Sequence, residues 1–185
     1  MQKIDLGMVI QEAITKFSQN RFGDKPPVSV VIPSALPNVP WENRSLKDFV
    51  RMFLYEALLT NDPDAAVQVS LRRRVEFKDL NAFLGLQPDY WVQLRVLGQG
   101  LKIGEGVIED LFADVGYRCE EWVGVEGSEA RLGIFAANGA PETKMVLCLE
   151  SLRHRLKCDL LLPVAVCPAL PSLITGGEFE EVLQP

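Results

Sequence analysis

Residues 98–106 read GQGLKIGEG, with glycine at Gly98, Gly100, Gly104 and Gly106. Glycine lets backbone N–H groups come close to an anion, so a phosphate group is the ligand class this stretch could hold. Glu56, Glu105, Glu109 and Asp110 supply carboxylates for metal binding or proton transfer. Glu109 and Asp110 are adjacent on a helical segment and point apart, which reads as a solvated helix face. His154, between Arg153 and Arg155, is the only histidine. Any serine or cysteine dyad with histidine would have to run through it, so nucleophilic hydrolysis has little support. Cys119, Cys148, Cys158 and Cys167 show no C-x-x-C spacing, and with one histidine a zinc site is disfavoured. They read as reduced thiols filling the core. Trp41, Trp91 and Trp122 are dispersed without basic neighbours and read as packing residues.

The elements that must position these groups follow from periodicity. Ile4, Met8, Ile10, Ile14 and Phe17 predict a helix over 4–17. VSVVI at 28–32 is β-branched and reads as a strand. SALPNVPWEN is a proline-rich connection, in which Asn43 or Ser45 could cap the next helix. That helix covers about 46–59, with Leu46, Phe49, Val50, Phe53, Leu54, Ala57 and Leu58 on its buried side, and Asn61-Asp62-Pro63-Asp64 stops it. Strands are expected at 65–73 and 90–98, with an irregular connection between them carrying a helical turn near 78–84. A short helix is expected at 107–115. YRCEEWVGV, ARLGIFAA and TKMVLCLE then read as strands, and 156–166 as one extra strand. The expected architecture is a two-layer α+β sandwich, a mixed sheet with helices on one face. Residues 1–167 form a single domain, and 168–185 an acidic C-terminal tail.

Composition narrows the function classes. The 185 residues carry a formal net charge of −6 and are 48% hydrophobic. A negative chain disfavours bulk nucleic acid and anionic membrane as partners, because both require a basic face. Arg72-Arg73-Arg74 is the only basic run and reads as a solvated strand end. No signal peptide is visible at the N-terminus, and no apolar run reaches the roughly 20 residues of a membrane helix. The expected location is the cytoplasm.

The order of elements and several phrases resemble the ATP-binding domain of sensor histidine kinases, the fold shared with gyrase-like ATPases, over roughly residues 3–150. IDLGMVIQEAITKF is similar to that family's lead-in helix. VSVVIPSALPNVPWENRSLKDFVRMFLYEALL is similar to its first strand, connection and N-box helix. YWVQLRVLGQGL resembles the strand entering the D-x-G-x-G box. VIEDLFADVGYRCEEW resembles the late helix that enters a strand at a glycine. ETKMVLCLE resembles the final strand, with Thr143 at its threonine.

The resemblance implies an ATP site, and this chain departs from it at the residues that matter. Glu56 stands where the family has a magnesium-binding asparagine. A carboxylate can ligate magnesium, but it also adds negative charge beside a triphosphate. Asn61 lies about 140° further around the helix and beyond its end. Val96 stands where an aspartate reads the adenine amino group, and it accepts no hydrogen bond. Only Leu101-Lys102-Ile103 separates Gly100 from Gly104, where the family has a long lid. Tight turns from strand to helix offer another reason for the glycines.

The sequence therefore points to a non-catalytic signalling or adaptor module, with Glu56, Val96, Gly98, Gly100, Gly104, Gly106 and Thr143 as vestigial ATP-site positions and no cofactor. Its partner would be a response regulator or a kinase in a two-component-type pathway, and a homodimer is compatible. Two alternatives stay open. One is an ATPase or kinase-like protein with a remodelled pocket, binding ATP and magnesium through Glu56. The other is a phosphotransfer protein using His154.

Overall fold

The computed structural model describes residues 5–20, 27–33, 44–62, 64–74, 90–99, 103–137 and 140–164. Of residues 20, 44–46, 74, 90, 137, 140–143 and 163–164 it describes the backbone alone. Among the described residues three helices, α1 (Leu6–Asn20), α2 (Arg44–Thr60) and α3 (Glu105–Asp114), pack with seven strands. The strands are β1 (Val28–Val31), β2 (Val67–Arg74), β3 (Tyr90–Gln99), β4 (Tyr117–Gly124), β5 (Ala130–Ala137), β6 (Ala140–Leu152) and β7 (Arg155–Val164). They form one mixed sheet in the order β1-β2-β3-β7-β6-β5-β4. β1 runs parallel to β2 and every other neighbour pair is antiparallel. This is the expected two-layer α+β arrangement.

Side-chain alternation assigns the two faces. Val67, Val69 and Leu71 of β2, Val92, Leu94 and Val96 of β3, and Cys158, Leu160 and Leu162 of β7 join the core under the helices. α1 contributes Leu6, Val9, Ile10 and Phe17 to that core, and α2 contributes Phe49, Val50, Phe53, Leu54, Ala57 and Leu58. The opposite face holds a second apolar cluster of Trp91, Ile134, Val146 and Leu161. Beside it Arg95 donates from Nε and Nη2 to Asp159 at 2.7 and 2.8 Å. Asp159 is only 5% exposed, so this two-point contact compensates the charge that the fold removes from water.

Several element boundaries, and the place of one strand, differ from the sequence reading. α1 starts at Leu6 because the Asp5 carboxylate accepts the Met8 amide at 3.0 Å and caps the helix there. α3 starts at Glu105, two residues earlier than expected, because the Gly104 carbonyl already accepts the Ile108 amide at 3.2 Å. The strand expected as an addition at 156–166 is β7, and it lies in the middle of the sheet between β3 and β6. The helical turn expected near 78–84 and the acidic tail 168–185 lie outside the described residues.

An aromatic column joins the layers. Phe112 of α3 stacks on Phe135 of β5 with ring centres 3.7 Å apart, and its centre lies 4.1 Å from that of Phe49 in α2. Trp122 meets Phe135 edge-on at 5.8 Å, and its indole N–H donates to Glu109 of α3 at 2.7 Å. Trp122 lies opposite Gly133 in the β4–β5 register. A Cβ at Gly133 would fall 2.8 Å from the Trp122 ring and 2.7 Å from the Phe135 ring. The bare backbone there is therefore the floor on which the indole rests. Gly133→Ala is expected to destabilise the protein by about 1–3 kcal/mol and to shift Trp122 emission as its bond to Glu109 is displaced. Chemical denaturation, with Trp122→Phe to assign the fluorescence, measures both; an unchanged midpoint is incompatible with this packing.

Candidate functional site

Glu56 and Val96 lie on the two elements that meet where α2 ends beside the end of β3. The clasp there is Asn61, buried just past the helix at 4% exposure. Its Nδ2 donates to the carbonyls of Asp62 at 2.7 Å and Ala65 at 2.8 Å, and its Oδ1 accepts the Gln99 amide at 2.9 Å. The Asp62 amide donates back to the Gln99 carbonyl at 2.8 Å. Both ends of the Asn61 amide are used, so this side chain is a strut and offers nothing to a metal ion. Sequence reading took the segment as a helix stop. An asparagine just after the last helical residue was the available signal, but its partner lies 38 residues away.

Glu56 and Val96 flank this junction. Glu56 sits about 7.5 Å back along α2 from Asn61, and Val96 about 10 Å back along β3 from Gln99. Glu56 is half-buried, and its backbone carbonyl accepts the Thr60 hydroxyl at 2.9 Å. Val96 is fully buried against the helices. A valine there presents methyl groups and no acceptor, so any amino group brought against it would lose its hydrogen bond to water without replacement.

The glycines divide among different elements. Gly98 is a buried residue inside β3, paired with Leu156 of β7. Gly104 is the extended residue before α3, and Gly106 lies in the first turn of that helix. A Cβ at Gly104 or Gly106 would meet nothing within 4 Å, and neither has a positive φ. The expectation that a tight turn demands glycine thus fails at both positions: their backbone and surroundings would accept a side chain. Among the described residues the glycines with positive φ are Gly116, at 84°, which ends α3 with its amide on the Ala113 carbonyl at 3.0 Å, and Gly127, at 74°. Gly100 and the Thr143 side chain lie outside what is described.

The start of α3 carries its own ion pair. Glu105 places a carboxylate in the first turn, where a helix otherwise attracts negative ligands, and it pairs with Arg131 of β5 at 2.9 Å. Ile103, just before it, is buried in the core. The other candidates lie elsewhere. Glu109 bonds Trp122, Asp110 is exposed, and His154 is exposed in the two-residue turn between β6 and β7. Arg72 and Arg73 are exposed on β2. Cys119, Cys148 and Cys158 are free thiols; Cys167 and Trp41 lie outside the described residues. Among the described residues no cluster of histidine, cysteine or acidic side chains could hold a metal ion, and no helix is long and apolar enough to cross a membrane.

Comparison with known proteins shows the fold. No family model matches the chain, and no curated protein matches it in sequence. Among solved structures, the nucleotide-free catalytic domain of histidine kinase ThkA aligns with a TM-score of 0.53 at 10% identity, over 89% of this chain and 97% of that one. A second crystal form of the same domain aligns at 0.52 and 10% identity, covering 89% and 95%. The mycobacterial sensor histidine kinase MprB aligns at only 0.44 with 14% identity, over 89% and 97%, too low to bear on the fold. The chain thus has the fold of a histidine kinase catalytic domain, as the sequence resemblance implied.

Two outcomes follow from these contacts. Asn61→Leu leaves the Gln99 amide and the carbonyls it served without partners, and is expected to cost about 2–3 kcal/mol. Hydrogen exchange should show the Gln99 amide losing protection while the centre of β3 keeps it. The second concerns alkaline pH. Burial pushes the Cys158 thiol from its ordinary 9.0 up to about 12, and Cys148 up to about 11. Below pH 9 both folded and unfolded chains hold these protons and stability is complete. Above it the unfolded chain releases them first, so stability falls as pH rises toward the folded values. The denaturation midpoint should drop between about pH 9 and 11, and drop less steeply in Cys158→Ala.

Proposed function

We infer that this protein is a non-catalytic signalling module that uses a histidine-kinase-type catalytic fold for protein–protein contact. Val96 carries the reading: a fully buried valine on β3 occupies the position that the family resemblance matches to the adenine-reading carboxylate. Three further observations support it. Glu56 brings a carboxylate to the matched magnesium position. Asn61, the nearest amide side chain, spends its donors and acceptor on the junction with Gln99. Glu105 puts negative charge at the start of α3. The residues present do not fit magnesium and ATP, and no catalytic step is assigned to them. A response regulator or a kinase of a two-component-type pathway is the partner class, and the cytoplasm the location.

A remodelled ATP site is the competing reading. It is favoured by the half-buried Glu56 carboxylate, which makes no ion pair among the described residues. Titration with ATP and magnesium decides between the two. A missing adenine contact worth about 1–3 kcal/mol and a comparable charge term weaken binding by roughly two to four decades. Calorimetry is expected to show no saturable binding below about 1 mM, with at most weak recovery in Glu56→Asn combined with Val96→Asp. Saturable magnesium-dependent binding to the unaltered protein below about 100 μM would replace this reading with the remodelled site.

A further inference from the structure

We draw no further inference here: the strongest candidate, the apolar cluster of Trp91, Ile134, Val146 and Leu161 on the sheet face opposite the helices, carries nothing because nothing among the described residues shows what covers it.

Discussion

Phe112 is the contact through which the two layers hold each other. Its ring lies against Phe135 on the sheet and close to Phe49 on α2, and it approaches Tyr117, the first residue of β4, edge-on at 6.1 Å. Two helices and two strands thus share one ring. Buried aromatic pairs of this kind add about 0.5–1.5 kcal/mol each beyond the area they cover. Position matters more than the sum. α3 is only ten residues long, and a helix that short is not stable on its own. Its place is set by Ile108, Leu111 and Phe112 on the buried side and by the Glu109–Trp122 bond at its rim.

A second clasp operates at the opposite end of α2. The backbone exchange between Asp62 and Gln99, with the Asn61 amide across it, ties the helix end to the strand end. Between the clasp and the aromatic column α2 is held at both ends, and α1 is fastened to it by the 2.6 Å pair of Arg51 with Glu12. The polar groups closest to the candidate site are therefore already committed to structure. Glu105 is likewise committed, to Arg131, which leaves buried Val96 and the half-buried Glu56 as the matched positions outside these contacts.

Much of the fold was legible because burial imposes period. The alternation VQVSLRRR and YWVQLRVLG, and the apolar stripe from Phe49 to Leu58, are what a half-buried strand and a packed helix require. The same logic explains where the reading slipped. Asp5 and Gly104 shifted the helix starts because caps act through single hydrogen bonds, which leave little trace in hydropathy. β7 was readable as a strand but not as a central one. Its neighbours are chosen by pairing with β3 and β6, and no local pattern records which strands will lie beside it. The glycine stretch misled most. Gly98 lies in the strand expected at 90–98, while Gly106 falls inside a helix that starts two residues earlier than expected.

The sequence by itself determined the element types and the two-layer class, because each depends on local periodicity, and its resemblance to a known family implied the family of folds and the positions of the candidate site. Glu56 and Val96 were readable as departures without any coordinates. The tertiary structure alone decided that Asn61 is a strut, that Trp122 rests on the bare backbone of Gly133, and that Asp159 finds Arg95. Those facts arise from contacts between residues distant in the chain, 38 apart for Asn61 with Gln99 and 64 for Arg95 with Asp159. Such pairings are selected by the packing of whole elements, and a linear pattern carries no term for them.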